Sequence, residues 1–177
     1  MQGMSVGVAG VSLANEHGLY VLATTRSAAK AIALREHGAD DVVIDTGHIA
    51  ADVAQRVPGG ADALLELIGP PTLRDSLPAV RPRGIVCQTG LLGNVWVLDD
   101  FEPRVDIPST VRLTTYNSGT TSAERSTSAL QAVADGVAAG RYGPSVDRVF
   151  RFDEIVAAHR VMEENRVTGK IVIVVAS

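Results

Sequence analysis

The sequence predicts a doubly wound α/β protein, with a parallel sheet, helices on both faces and its first strand missing. Short β-branched runs alternate with longer amphipathic stretches along the chain, which is typical of strand–helix–strand repeats. The short runs are nearly all apolar rather than alternating, which suits a sheet covered on both faces. A glycine-containing segment also opens the first helical stretch, as it does in nucleotide-binding α/β folds.

The order of the elements follows from these two patterns. The apolar runs predict strands at 19–24, 41–45, 62–68, 84–89, 111–115 and 170–175. The amphipathic stretches predict helices at 8–17, 28–37, 49–56, 72–80, 122–139 and 153–165. The first two helices each end in Glu-His-Gly, where Gly18 and Gly38 can adopt the left-handed stop conformation. His17 and His37 lie at the negative ends of these helices, which is a structural role.

The composition indicates one soluble intracellular domain. The chain has 177 residues, of which 46% are hydrophobic and 20% charged, as in ordinary globular proteins. The net charge of −4 argues against a nucleic acid or an anionic membrane as partner, because both attract basic surfaces. No apolar run has the length of a bilayer-spanning helix, and the first residues lack a signal-peptide pattern. The single cysteine, Cys87, fits a reducing compartment, so we expect a cytoplasmic protein.

The segment from Gly3 to Gly7 is predicted to be a phosphate-binding turn at the start of the first helix. Free backbone N–H groups and the positive end of the helix dipole favour a pyrophosphate there. The alternative is a glycine-rich turn that only packs well. The same residues match the G-x-S-x-G nucleophile elbow, which would make Ser5 a nucleophile. That motif requires a strand and an oxyanion donor ahead of it, and the few residues before Ser5 disfavour a hydrolase.

The residues after the strand at 19–24 predict the cofactor. About twenty residues beyond the glycine turn, NAD-binding folds place a carboxylate that accepts the ribose hydroxyls. Here Thr25, Arg26 and Ser27 follow the strand, with Lys30 in the next helix. A guanidinium binds a 2′-phosphate through two hydrogen bonds, whereas a carboxylate repels it. The sequence therefore predicts NADP(H) rather than NAD(H), and the alternative is a solvated basic residue at a helix start.

With these signals in place, the chain resembles the cofactor domain of the medium-chain dehydrogenase/reductase superfamily, in particular its zinc-independent quinone oxidoreductase-like branch. The resemblance runs over essentially the whole chain. The segments that carry it, through their order and spacing, are 5–7, 23–27, 38–40, 58–62, 68–69, 84–90 and 169–173.

The resemblance implies a site and an activity. The residues implied to bind the cofactor are Ser5, Val6 and Gly7 at the pyrophosphate, Thr25, Arg26 and Lys30 at the 2′-phosphate, Ile68 and Gly69 at the adenosine, Thr89, Gly90 and Leu91 at the nicotinamide ribose, and Tyr116 and Asn117 at the nicotinamide. Members of this branch reduce quinones or other activated α,β-unsaturated carbonyls by hydride transfer from the cofactor. No residue of this chain is assigned a catalytic role.

The chain also departs from the zinc enzymes of the superfamily. Those enzymes bind catalytic zinc through cysteine, histidine and glutamate, and structural zinc through four cysteines. This sequence has one cysteine and four scattered histidines, and no set of ligands stands at zinc spacing. We therefore expect no metal site, and Cys87 is interpreted as a small buried hydrophobe.

The chain is expected to be one NADP(H)-binding domain, 1–177, truncated at its N-terminus. The substrate domain that precedes the cofactor domain in this family is absent, as is the strand leading into Gly3, so we infer a fragment, a misplaced start codon or a degenerate reading frame. That strand is central in such sheets, and its loss leaves backbone groups unpaired. Residues 148–177 include a helix and a strand that in relatives return to the missing domain. We hypothesise that the strand at 171–175, or a strand from a second chain, fills the vacant position.

The predicted function is to bind NADP(H) for an NADPH-dependent oxidoreductase, with no activity expected from the isolated chain. The alternative is a non-catalytic dinucleotide-binding or dimerisation module. A methyltransferase is disfavoured because no acidic residue ends the strand at 19–24. Relatives pair through the edge strand that corresponds to 111–115, so a homodimer is expected through that strand.

Overall fold

The structure is a computed structural model that describes residues 3–143, 145–164, 167 and 169–175. The α-helices are α1 (Gly3–Glu16), α2 (Ala28–Glu36), α3 (Ile49–Arg56), α4 (Pro70–Ser76), α5 (Pro103–Asp106), α6 (Ala123–Ala138) and α7 (Ile155–Glu163). The strands are β1 (Leu22–Thr25), β2 (Asp41–Ile44), β3 (Ala61–Glu66), β4 (Val80–Gln88), β5 (Arg112–Thr115), β6 (Val146–Arg151) and β7 (Lys170–Val174). Short 3₁₀ helices occupy Leu77–Ala79, Ser118–Thr120 and Phe152–Glu154.

The alternation of strands and helices confirms the predicted α/β class. β3 pairs with β4 and β4 with β5, both in parallel, and β6 pairs with β7 in parallel. The predicted end of the last helix at Asn165 lies outside the described residues.

The described strands form separate sheets rather than one. β1 and β2 make a two-stranded sheet, β3, β4 and β5 a three-stranded sheet in that order, and β6 and β7 another two-stranded sheet. The strand expected to lead into Gly3 is the one that pairs with both neighbours in a sheet of this topology. No described strand pairs with both β1 and β3.

The hypothesis that the last strand fills the central position is wrong for this chain. β7 pairs with β6 in the register Val149↔Val172 and Phe150↔Ile173. β6 was not predicted from the sequence, because charged residues interrupt its apolar pattern and make the segment resemble a loop. Once β6 is available, a local ladder satisfies the backbone groups of β7.

The predicted turn at Gly3 to Gly7 is also wrong, since these residues form the first turns of α1. The segment has no proline, and Val8 and Val11, which follow it, are buried. Burial of this face stabilises the helix, and the preceding residues extend it at the modest cost of glycine in a helix.

The structure groups the chain into two compact units. The first comprises the described residues of Met1–Ala23, Ala28–Val42 and Ser122–Ser177, and the second comprises Thr24–Ser27 and Val43–Thr121. The core of the first contains Val8, Val11, Ala23, Ala31, Leu34, Ala39 and Val42. The core of the second contains Leu73, Leu77, Val80, Val86 and Val111. Each unit therefore has an apolar core of its own.

The two predicted helix stops are confirmed. Gly18 has a φ of 69° and Gly38 a φ of 102°, both in the left-handed region that glycine adopts without strain. A Cβ on Gly38 would also lie 2.7 Å from Cγ of Asn15, so α1 passes close to this stop. No helix among the described residues is long and apolar enough to cross a membrane.

Candidate dinucleotide-binding site

The end of β1 presents the residues predicted to select the cofactor. Arg26 is exposed, and α2 begins two residues beyond it. The side-chain oxygen of Thr25 accepts a hydrogen bond from the Ser27 amide at 3.2 Å, which fixes the turn between strand and helix. The amide of Asp45 donates to the carbonyl of Thr25 at 2.9 Å, so the end of β2 supports the same turn. The Arg26 side chain thus extends from a turn whose backbone is fixed by hydrogen bonds at Thr25 and Ser27.

The other residues predicted for the phosphates lie in the first compact unit. Val6 and Gly7 are in the first turns of α1, where Val6 is exposed, and Ser5 is helical in backbone. Lys30 is a half-buried residue in the first turn of α2. α1 begins at Gly3, five residues before the start at residue 8 that was predicted from the sequence.

A buried carboxylate organises the turn after β3. Glu66, the last residue of β3, is only 4% exposed. Its Oε1 accepts hydrogen bonds from the amides of Ile68 at 2.7 Å and Gly69 at 3.2 Å, and from the Thr72 hydroxyl at 3.1 Å. Its Oε2 accepts from the Ser76 hydroxyl at 2.5 Å. Sequence reasoning missed Glu66, because an acidic residue at the end of a strand gives no signal about the donors around it.

The backbone of Glu66 fixes the loop after β4. Its carbonyl accepts from the amides of Thr89 at 2.9 Å and Gly90 at 3.1 Å. A Cβ on Gly90 would overlap the carbonyl oxygen of Leu67. Glycine is therefore required where the two loops meet.

Two further hydrogen bonds join the same loops. The amide of Leu92 donates to the carbonyl of Leu67 at 3.2 Å, and the amide of Gly93 donates to that of Ile68 at 2.8 Å. A Cβ on Gly69, whose φ is 93°, would lie 3.0 Å from the Gly90 carbonyl oxygen. The predicted adenosine and nicotinamide-ribose residues thus form one continuous surface.

This surface does not offer amide donors to a phosphate at the start of α4. The amides of Ile68 and Gly69 donate to Glu66, and Pro70 and Pro71 have no N–H. The next two amides return to the carbonyl of Gly69. The turn after β3 therefore has no free amide for a phosphate at the start of α4, which suits the flank of a nucleoside rather than a phosphate.

Residues at the end of β5 complete this edge of the sheet. The amide of Tyr116 donates to the carbonyl of Gln88 at 3.3 Å, and the Gln88 side-chain amide donates to the carbonyl of Gly90 at 2.6 Å. The Tyr116 ring is half exposed, and its hydroxyl accepts from the Thr121 hydroxyl at 3.0 Å. Asn117 uses its side-chain oxygen to accept from the amide of Gly119 at 2.9 Å.

The structure therefore brings the predicted nucleoside residues together. Because the carboxyl ends of parallel strands lie at one edge of a sheet, the segments after β3, β4 and β5 are neighbours. These segments contain Ile68, Gly69, Thr89, Gly90, Leu91, Tyr116 and Asn117. The predicted phosphate residues follow β1 or lie in α1 and α2.

A polar cavity of about 210 Å³ lies elsewhere, in the first compact unit, where α1 and α2 end. It is lined by residues that include Glu16, His37 and Arg141. The Arg141 guanidinium pairs with the Glu16 carboxylate at 2.9 Å. No residue predicted to bind the cofactor lines this cavity.

The described residues do not fit a zinc ion. In the described part of the chain, no three side chains of His, Cys, Asp or Glu come together as metal ligands. Cys87 is half-buried in β4, and its sulfur lies 3.4 Å from the Thr89 hydroxyl oxygen.

Comparison with known proteins decides the family. Residues 37–173 match the model of the family described as zinc-binding dehydrogenase. The chain belongs to this family. Within it, the resemblance to quinone oxidoreductase-like proteins of the medium-chain dehydrogenase/reductase superfamily is confirmed.

The relatives of this zinc-binding dehydrogenase family member are longer proteins. A 2-haloacrylate reductase from a Burkholderia species is 28% identical over 170 residues, which cover 92% of this chain and 50% of that protein. The chain thus spans about half the length of the curated relative it matches.

Solved structures show the Rossmann-type fold of this chain. AibC is 31% identical, with a TM-score of 0.83 over 99% of this chain and 48% of its own. The crystal structure of a 2-haloacrylate reductase is 25% identical, with a TM-score of 0.82 over 98% of this chain and 56% of its own. A mycobacterial protein complexed with NADPH is 21% identical, with a TM-score of 0.80 over 98% of this chain and 54% of its own, and supports the fold alone.

Proposed function

We propose that this chain is the NADP(H)-binding part of an NADPH-dependent oxidoreductase of the quinone oxidoreductase-like branch. Its family and fold support a dinucleotide ligand, and the mycobacterial neighbour holds NADPH. NADPH supplies a hydride when bound. The residues of this chain bind and orient that cofactor.

Arg26 is the observation that carries the choice of NADP(H). It is exposed at the end of β1, where NAD-binding folds place a carboxylate. Its planar guanidinium matches a phosphate through paired hydrogen bonds, and the hydroxyl of Thr25 adds a donor without opposing charge. Lys30, in the first turn of α2, is the second basic residue proposed for this phosphate. A 2′-phosphate is therefore attracted where a carboxylate would repel it.

The remaining residues bind the rest of the dinucleotide. Val6, Gly7 and the helical backbone at Ser5 lie in the N-terminal turns of α1, where the helix dipole favours the pyrophosphate. The surface after β3 and β4 holds the adenosine at Ile68 and Gly69. It also holds the nicotinamide ribose at Thr89, Gly90 and Leu91, and Tyr116 and Asn117 approach the nicotinamide.

The proposed substrates are quinones or other activated α,β-unsaturated carbonyls. A relative carries the name 2-haloacrylate reductase, and a haloacrylate is an activated α,β-unsaturated acid. No residue of this chain is assigned to substrate chemistry. We therefore place substrate binding and turnover in an assembly that includes residues beyond this chain.

The chain contains one tryptophan, Trp96, in the loop after β4, and this makes binding directly measurable. Titration with NADPH should quench Trp96 emission and change the emission of the nicotinamide, since Trp96 follows β4 in the same loop as the residues proposed at the nicotinamide ribose. We expect saturable binding, with NADPH bound more tightly than NADH. Indifference to both dinucleotides, or tighter binding of NADH, would overturn the proposal.

We also propose that the chain forms a homodimer through β5. Among the described strands β5 pairs only with β4, so the backbone groups on its other side are available for a second strand. Light scattering at micromolar concentration tests this arrangement. A monomeric mass would overturn it without affecting the cofactor proposal.

A further inference from the structure

We propose that Glu66 is a positioning residue of the dinucleotide site, which holds the adenosine turn and the nicotinamide-ribose loop in one fixed arrangement. This inference rests on the proposed function. Glu66 itself does not reach the ligand, because its carboxylate is buried and faces four protein donors. It acts through the backbone of the residues that do.

The carboxylate of Glu66 is held entirely by neutral donors. These are the amides of Ile68 and Gly69 and the hydroxyls of Thr72 and Ser76. Hydrogen bonds to an ionised acceptor are stronger than those between neutral groups. Removal of the carboxylate leaves buried donors without an acceptor, so the turn that contains them must rearrange to find water.

The backbone carbonyl of Glu66 also fixes the loop after β4. It accepts the amides of Thr89 and Gly90, the residues proposed to lie at the nicotinamide ribose. The two loops also meet backbone to backbone at Gly90 and Leu67, with no space for a side chain between them. A displacement at the end of β3 is therefore transmitted to both halves of the dinucleotide surface.

The same contacts determine which groups the turn presents to a ligand. With the amides of Ile68 and Gly69 directed at Glu66, the turn has no free amide at these two residues to offer an anion. Loss of the carboxylate frees those amides and changes the surface from one that suits a nucleoside to one that attracts anions. A change in ligand preference therefore separates positioning from general stability.

The experiment compares NADPH affinity in Glu66→Ala, Glu66→Gln and Asp75→Ala, below the unfolding temperature of every variant. Asp75 is a matched control, because its carboxylate also accepts two backbone amides, those of Ile49 and Ala50, but at the start of α3. We expect Glu66→Ala to raise the NADPH Kd about tenfold, which corresponds to about 1.4 kcal/mol. Glu66→Gln should recover most of this loss, because its amide oxygen still accepts from Ile68 and Gly69. Asp75→Ala should lower the Tm and leave the Kd unchanged.

A second readout is competition by inorganic phosphate. It should displace NADPH more readily from Glu66→Ala than from the unaltered chain, since freed amides attract an anion. If Glu66→Ala does not fold, Thr72→Val and Thr72→Ser replace it. Serine keeps the hydroxyl that donates to Glu66 and valine removes it, so only valine should weaken NADPH binding.

The outcomes separate this inference from the proposed function. If the unaltered chain does not bind NADPH, the proposed function fails and this inference fails with it. If the unaltered chain binds and a folded Glu66→Ala variant binds equally well, only the inference is overturned. Equal losses in Glu66→Ala and Asp75→Ala would also overturn it, because they would show a stability effect alone.

Discussion

Gly90 lies where the loop after β4 is in close contact with the loop after β3. Its amide donates to the carbonyl of Glu66 at 3.1 Å, and its Cα faces the carbonyl oxygen of Leu67. The glycine was predicted from the sequence as a cofactor residue, through resemblance to a family. The structure adds a steric reason for glycine at this position, because the backbone at Leu67 occupies the space that a side chain on residue 90 would need.

We predict that Gly90→Ala destabilises the chain by about 2 kcal/mol, as overpacking in a tight contact does. The added methyl group would overlap the Leu67 carbonyl, so the two loops would have to separate. Thermal or urea unfolding measures the change. Gly143→Ala is the matched control, because a Cβ there meets nothing within 4 Å, and its stability should be nearly unchanged. Equal stability of the two variants would contradict the contact at Gly90.

At the residue scale, the sequence pattern does not show which donors surround Glu66. Its partners, Ile68 to Ser76, include amides and hydroxyls as far as ten positions along the chain. Which of these donors converge on one carboxylate depends on the turn geometry after β3 and on the start of α4. Arg26 differs, because its predicted role depends only on residue type and on its position after a strand.

At the scale of elements, β1 to β5 were located from short runs of apolar or β-branched residues, but Arg81, Pro82 and Arg83 concealed the start of β4 at Val80. β6 was missed because Asp147, Arg148 and Arg151 break its apolar run. The start of α1 was misplaced because glycines were interpreted as a turn, whereas burial of Val8 and Val11 supports a helix that extends back to Gly3. Burial and partner strands decide such cases, and neither is visible in a local pattern.

The proposed dimer gives a prediction at this scale. Thr114 is an exposed residue of β5, and we expect Thr114→Lys to convert the dimer to a monomer, since a charged side chain on an edge strand blocks pairing. Light scattering of the unaltered chain and of the variant measures the change. Thr127→Lys adds the same charge on an exposed position of α6 and should leave the dimer intact. A dimeric Thr114→Lys variant would show that β5 is not the interface.

At the scale of the whole molecule, the chain has the fold of its family and spans about half the length of the curated relative, a 2-haloacrylate reductase. Each of its two compact units has an apolar core of its own. The fold class and the family could be predicted from the sequence because many weak segments occur in the right order. The partner of β7 could not be predicted, because β6 was not recognised as a strand in the sequence.

We predict that the chain alone binds NADPH without oxidising it. A mixture of the chain, NADPH and a simple quinone should lose nicotinamide absorbance no faster than a mixture without the chain. Hydride transfer needs an acceptor held beside the nicotinamide, and no residue of this chain is proposed to hold one. Quinone-dependent oxidation clearly above that background would contradict the division of roles.

The most direct test of the account is the preference of Arg26→Glu for the two dinucleotides, measured by titration of Trp96 and nicotinamide emission. Loss of charge-assisted hydrogen bonds to the 2′-phosphate should raise the NADPH Kd about tenfold or more, while the NADH Kd changes little. Arg104→Glu makes the same charge change in α5, at an exposed position, and should leave both constants near those of the unaltered chain. Equal losses for NADPH and NADH in Arg26→Glu, or no loss for either, would contradict the assignment of Arg26 to the 2′-phosphate.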